Sequence, residues 1–192
     1  MPKITLDNET FEFEGRPKLL QFCLESGVDL PHFCYHPSMS APANCRQCLV
    51  EVGMPQMNRE TGQPNLDESG QPIIQYMPKL QTSCSMDVAD GMVVKSHRSS
   101  ELVKRAQKDN LEFLLINHPL DCPICDQAGH CPLQNQTYKH GPEGSRFEFR
   151  KVGKPKHIDL GPNVVLDGER CINCTRCIRF TREISKSNQL TI

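Results

Sequence analysis

Tryptophan is absent from the 192-residue chain, and tyrosine (3) and phenylalanine (8) are sparse. With an apolar fraction of 37%, the chain falls below ordinary globular usage, and one large core is not expected. Several small subdomains are expected instead, and subdomains of that size need staples. Charge of one sign is also missing. The net charge is -1, so no basic footprint advertises nucleic acid. No run approaches the ~18 apolar residues that span a bilayer, so membrane contact is expected only through partner proteins. No Gly-rich phosphate loop is present, which excludes a dinucleotide site on this chain. No nucleophile–base pair supports hydrolytic chemistry. The opening Met-Pro-Lys-Ile-Thr-Leu-Asp-Asn has no apolar run of the secretory kind, and a reducing compartment is expected.

What the chain has in quantity is cysteine, eleven in all. An odd count with Cys-x2-Cys spacing points to metal ligands rather than disulfides. Ten of the eleven fall into three groups. Cys34, Cys45, Cys48 and Cys84 form the first, Cys122, Cys125 and Cys131 the second, and Cys171, Cys174 and Cys177 the third. His118 stands four positions before the second group, in His118-Pro-Leu-Asp-Cys122-Pro-Ile-Cys125-Asp-Gln-Ala-Gly-His-Cys131. One imidazole and three thiolates within fourteen residues favour iron–sulfur or zinc over hard cations. Three such sets in a row read as a string of redox centres.

The sets differ in completeness. In the first, Cys34 and Cys45 are separated by ten residues, Cys45 and Cys48 by two, and Cys48 and Cys84 by thirty-five. Four thiolates suffice for a 2Fe–2S centre, and they would equally suit zinc. The second set gains its fourth donor from His118. A neutral imidazole in place of a thiolate removes one negative charge and makes reduction easier. Cys122-Pro-Ile-Cys125 also has thiol–disulfide spacing, but the βαβ context of such a site is missing. The third set matches the first three positions of the bacterial ferredoxin run, and the fourth position is Thr181. Arg170, Arg176, Arg179 and Arg182 surround it, either as a solvated face or as charge compensation for an anionic cluster.

Residues 1–96 pattern as a small α+β domain. Ile4 and Leu6, then Phe11 and Phe13, flank Asp7-Asn8-Glu9 as a hairpin. Pro17 suits a first helical position, Leu19, Leu20, Cys23 and Leu24 form a helical stripe, and Gly27 suits the stop. Cys23 is read as a small apolar residue on that buried face. Strands are predicted at 48–52, 81–85 and 92–95. Between the first two lies an insertion, 54–79, rich in Pro and Gly, with a short strand at 73–76. A helix capped by Ser99 or Ser100 is predicted to run toward His118. Residues 139–168 are polar, with alternation at Phe147 and Phe149, and a helix is predicted over 176–184.

The order of these groups resembles the large iron–sulfur subunit of bacterial NADH:quinone oxidoreductase, respiratory complex I. Cys45-Arg-Gln-Cys48-Leu-Val-Glu-Val, Leu80-Gln-Thr-Ser-Cys84, Cys122-Pro-Ile-Cys125-Asp-Gln-Ala-Gly and Cys174-Thr-Arg-Cys177-Ile-Arg-Phe-Thr carry the resemblance. It implies an α+β chain in three parts. A β-grasp ferredoxin-like domain over 1–96 would hold a 2Fe–2S cluster on Cys34, Cys45, Cys48 and Cys84. A small domain over 97–137 would hold a 4Fe–4S cluster on His118, Cys122, Cys125 and Cys131. The start of an all-cysteine 4Fe–4S domain over 138–192 would supply Cys171, Cys174 and Cys177. In the family its last ligand comes from a later Cys-Pro-Val-Gly segment, so the chain is expected to be truncated.

The resemblance also implies an oxidoreductase subunit of the translocase class, without a complete active site of its own. Electrons would arrive from a flavin- and NADH-binding subunit and pass toward quinone. The other hydrophilic-arm subunits would be partners, at the cytoplasmic face of the bacterial inner membrane. The module also occurs in iron-only hydrogenases and in NAD-linked hydrogenases or formate dehydrogenases. Iron-only hydrogenases carry cysteine where Thr181 stands, which favours the complex I reading. From a different class, a zinc-stapled structural module would use the same residues.

Overall fold

The computed structural model describes residues 1–191 and divides into two compact units. The first comprises Met1–Leu30 and Cys48–Ala106, and the second comprises Pro31–Gln47 and the chain from Gln107 onward.

The first unit is a mixed sheet with one short helix. Strands β1 (Lys3–Leu6) and β2 (Glu9–Glu12) form the expected hairpin. Asp7 and Asn8 both have positive φ, 50° and 73°. That is the twist a two-residue turn needs to match the strands, and Asx residues tolerate it well. Helix α1 (Leu19–Glu25) buries Leu19, Leu20, Phe22 and Cys23. It starts later than Pro17 predicts. Lys18 is extended and bridges Asp87, and the Pro17 carbonyl accepts from the Val88 N–H. Pro17 thus belongs to the incoming strand-like segment.

The helix ends as predicted. Gly27 has φ +78°, its N–H donates to the Leu24 carbonyl, and the Val28 N–H donates to the Cys23 carbonyl. This pair of bonds is the Schellman stop, and the left-handed φ favours glycine there.

Strands β3 (Leu49–Pro55), β4 (Ile74–Tyr76), β5 (Gln81–Thr82) and β6 (Met92–Lys95) complete the sheet in the order β2-β1-β6-β3-β4, with β5 also on β3. Strands β1 and β6 pair in parallel, and the other pairs are antiparallel. Alternation puts Ile4, Leu6, Val50, Val52, Met92 and Val94 in the core. Gly53 is required by close approach, because a Cβ there would lie 2.5 Å from Ile74 Cγ2. The predicted strand at 81–85 is shorter. Ser83–Ser85 turn instead as a 3₁₀ helix carrying Cys84.

Helix α2 (Glu101–Leu115) begins at Ser100, whose Oγ accepts from the Val103 N–H at 3.2 Å. Its last nine residues, from Gln107, belong to the second unit. That unit adds α3 (Pro132–His140), a two-stranded ribbon of β7 (Ile158–Asp159) and β8 (Val165–Leu166), and α4 (Arg176–Arg179), which runs on into a π-helical turn at Phe180–Ile184. Its small core is Phe33, Leu111 and Leu133, with Leu114, Leu115 and Ile172 packed on it. The alternation at Phe147 and Phe149 forms no strand, and the two rings lie tilted with centroids 5.9 Å apart. No helix among the described residues is long and apolar enough to cross a membrane.

Candidate metal centres

The first set of donors is divided by the two units. In the second unit, the thiols of Cys34 and Cys45 are hydrogen-bonded to each other, and that bond together with burial pushes the Cys45 thiol upward. The segment that carries them turns through left-handed residues, Ala43 (φ 53°) and Arg46 (φ 56°). Non-glycine residues adopt that conformation only where the surroundings enforce it. Here the enforcement comes from α2. Asn110 Nδ2 donates to the Arg46 carbonyl at 2.8 Å, and Gln47 Nε2 donates to the Gln107 carbonyl at 3.3 Å.

In the first unit, Cys48 immediately precedes β3 and Cys84 sits in the 3₁₀ turn, both buried. The Ser83 N–H and Oγ–H both donate to the Cys48 carbonyl, at 3.0 and 2.8 Å. Ser83 therefore ties the backbone next to Cys84 to that of Cys48. Cys23 remains apart from this chemistry. It is fully buried in α1, and burial, then the neighbouring Asp7 and Cys48, pushes its thiol up to about 12. A thiol so held is inert.

The second set is brought together most clearly. His118, Cys122, Cys125 and Cys131 all line one cavity of about 520 Å³, with Arg170 on its wall. Each position has a local cause. The His118 N–H closes the end of α2 on the Leu115 carbonyl, 3.2 Å away. Pro119 then ends any helical continuation. Cys122–Ile124 form a 3₁₀ turn. Cys131 is the N-cap of α3, with Pro132 in the first helical position. Burial, and after it the Lys151 cation, lowers the His118 pKa and holds the ring neutral. A neutral ring is the form that ligates metal. Lys151 is fixed by donating to the Leu115 and Ile116 carbonyls at 2.8 and 2.9 Å.

An ion network fastens the loop. Lys156 bridges Asp121 at 2.5 Å and Glu169 at 2.6 Å, and Arg170 bridges Asp121 at 3.1 Å and Asp167 at 3.2 Å.

The third set follows directly. Asn173 (φ 53°) and Thr175 (φ 60°) flank Cys174 in the left-handed region. Such reversals turn successive backbone N–H groups toward a common anion. One is in place already, because the Asn173 N–H donates to Cys171 Sγ at 3.4 Å. The Thr181 hydroxyl donates to the Ile178 carbonyl at 3.0 Å.

Among the described residues no three His, Cys, Asp or Glu side chains converge on the position of a single metal ion. The donors of the second set surround a volume instead. A cavity lined by one imidazole and three sulfur donors fits a polynuclear iron–sulfur group, which these four residues would hold.

The supporting residues were harder to read. Gln107, Asn110, Lys151, Asn173 and the burial of Arg179 carry no motif. Gln107 alone left a trace: it shares the stripe of Val103 and Leu111, all three fully buried. A polar residue on an apolar stripe is a signal that a buried partner exists.

Three family profiles tile the chain: a "2Fe-2S iron-sulfur cluster binding domain" over residues 2–99, an "NADH-ubiquinone oxidoreductase-G iron-sulfur binding region" over 107–146, and an "NADH-quinone oxidoreductase subunit 3, ferredoxin-like domain" over 161–192. NADH-quinone oxidoreductase subunit 3 of Thermus thermophilus is 40% identical over 96% of this chain and 25% of its own length. The corresponding NADH-quinone oxidoreductase subunit of Rickettsia bellii is 40% identical over 96% of this chain and 24% of its own. The mitochondrial NADH-ubiquinone oxidoreductase 78 kDa subunit of Neurospora crassa is 38% identical over 98% and 22%. The chain thus spans about a quarter of the length of these relatives. Among solved structures, a chain of an NAD+-reducing [NiFe]-hydrogenase in the H2-reduced state superposes with a TM-score of 0.72 at 29% identity, covering 97% of this chain and 68% of that one. The chain belongs to the 2Fe-2S iron–sulfur cluster binding domain family, in the form carried by the N-terminal part of NADH-quinone oxidoreductase subunit 3 and its counterparts in other bacteria.

Proposed function

We propose that this chain is an electron relay of an NADH:quinone oxidoreductase, accepting single electrons from a flavin- and NADH-binding subunit and passing them toward quinone. The observation that carries the reading is the cavity of about 520 Å³ lined by His118, Cys122, Cys125 and Cys131. Iron–sulfur groups, when bound, supply reversible one-electron chemistry. The chain's own residues supply everything else.

Cys34, Cys45, Cys48 and Cys84 are assigned to a 2Fe–2S group, within a β-grasp domain over 1–96. His118, Cys122, Cys125 and Cys131 are assigned to a 4Fe–4S group in 97–137. Cys171, Cys174 and Cys177 are three ligands of a second 4Fe–4S group in 138–192. Thr181 offers a hydroxyl where the ferredoxin run carries its fourth thiol, so the fourth donor of this group is expected from outside the Cys171–Cys177 run. His118 presents a neutral ring, the Asn173 N–H bonds a ligand sulfur, and the Lys156–Arg170 network holds the loops in place. Hydrogen bonds to sulfur and local positive charge raise a cluster's potential. Docking to the other hydrophilic-arm subunits would place the chain peripherally at the cytoplasmic face of the membrane.

The likeness to the hydrogenase chain supports a second reading, an electron-transfer subunit of an NAD-linked hydrogenase. Identification of co-purifying subunits separates the two. The common core of both readings is tested by anaerobic purification with iron and sulfide analysis and electron paramagnetic resonance of the reduced protein. Iron, sulfide and reduced-state signals of two cluster types are expected. A colourless protein containing zinc alone would refute the relay and establish a zinc-stapled module.

A further inference from the structure

Four arginines surround the third cysteine group, and their settings differ. Arg170 pairs with Asp121 and Asp167. Arg182 is exposed and pairs with Glu183. Arg176 donates to the Tyr35 carbonyl at 2.6 Å. Arg179 alone is fully withdrawn from solvent, at 3% exposure.

The guanidinium of Arg179 makes four hydrogen bonds, all to neutral oxygens. Nε donates to Thr175 Oγ1 at 3.2 Å and Nη1 to the Ser40 carbonyl at 2.6 Å. Nη2 donates to the Cys34 carbonyl and, at 3.5 Å, to the Cys174 carbonyl. None of its partners among the described residues is a carboxylate. The nearby carboxylate of Glu183 is taken by the Ser40 N–H (2.8 Å), the Ser40 hydroxyl (2.6 Å) and Arg182. Arginine cannot shed its proton in a protein. A buried charge without a counter-charge costs several kcal/mol, and four neutral acceptors do not cancel it. Something anionic has to lie near Arg179 in the working protein.

Two of its acceptors say where. Cys34 belongs to the first ligand set and Cys174 to the third, and one Nη2 group touches the backbone of both. We propose that Arg179 is a positioning residue shared by two centres. It clamps the ligand backbones of Cys34 and Cys174, and its charge is balanced by the anionic iron–sulfur groups that those cysteines hold. This rests on the assignment of Cys34 and Cys174 to two different iron–sulfur groups. A fixed cation beside a group that gains negative charge on reduction stabilises the reduced form. Arg179 therefore raises both potentials, and none of its hydrogen bonds goes to His118, Cys122, Cys125 or Cys131.

The test is a redox titration, followed by electron paramagnetic resonance, of the assembled complex carrying Arg179→Gln or Arg179→Lys. Arg179→Gln is expected to lower the potentials of the first and third centres, each by at least a tenfold change in the oxidised-to-reduced ratio, 59 mV for one electron. The His118 centre should stay within a twofold change. Arg179→Lys keeps the charge and loses the fork, so its shifts should be smaller and of the same sign. Unshifted potentials in an assembled Arg179→Gln protein would overturn the proposal, and so would equal shifts in the two variants. If Arg179→Gln fails to assemble, Arg179→Lys decides. Assembly of both centres with the smaller shift supports charge balance, whereas their loss would show Arg179 to be a packing group only. A wild-type complex without iron–sulfur signals from this chain would instead refute the relay assignment beneath it.

Discussion

His118 is where a single side chain has the largest consequence. It follows α2 by three residues, lines the same cavity as Cys122, Cys125 and Cys131, and is held neutral by burial and by Lys151. As the neutral ligand proposed above, it would leave its centre one unit less negative than four thiolates would. Replacing His118 with Cys should preserve the centre, because the fourth donor remains, and lower its potential by a tenfold or greater change in the redox ratio, about 60 mV for one electron. An electrochemical titration of the reduced-state signal reads this directly, and an unchanged potential would mean that His118 is no ligand. Candidate donors of this kind stand out in a sequence because ligation would need particular atoms at short spacing, and the structure places these four on one cavity. Arg179 was legible only as one of four arginines. Its burial depends on carbonyls at Ser40 and Cys34, more than a hundred residues away, and no local pattern encodes that.

Elements show the same division between local and distant causes. The hairpin, α1, β6 and the start of α2 were readable because Asp7-Asn8, Gly27 and Ser100 each act within a few residues. Helix α3 was not readable. Leu133 is its only buried residue, so it shows no apolar stripe, and its signals are Pro132 at the start with Lys139 and His140 in the last turn. Strands β7 and β8, two residues each, are too short for any periodicity. The stop of α1 offers a quantitative check on the local class. Nothing lies within 4 Å of a Cβ added at Gly27, whose φ is +78°. The cost of Gly27→Ala is then conformational alone, roughly 1–2 kcal/mol, and Gly27→Asn should cost less because asparagine tolerates the left-handed region. Thermal unfolding followed by circular dichroism ranks the three proteins. Equal midpoints for all three would contradict the Schellman geometry.

At the scale of the whole molecule, the two units draw their stability from different sources. The first unit buries a continuous apolar set from its sheet and α1, including Ile4, Leu6, Leu19, Leu20, Val52 and Val94. In the second, the described apolar side chains that reach full burial are Phe33, Cys34, Tyr35, Leu111 and Leu133. At about 25 cal/mol per Å², burial on that scale does not offset the ordering entropy of some hundred residues. On the relay reading, ligand–metal bonds would supply the balance, as they do in other small metal-stapled domains. Stripping iron with a chelator under anaerobic conditions should therefore divide the chain. Amide hydrogens of β1, β3 and β6 should keep most of their protection, while those of 118–140 and 154–184 should exchange at near-unfolded rates. Restoring iron and sulfide should bring the protection back. Hydrogen exchange read by mass spectrometry resolves the two units, and uniform protection across both after complete removal of iron would show that the second unit stands on its packing alone.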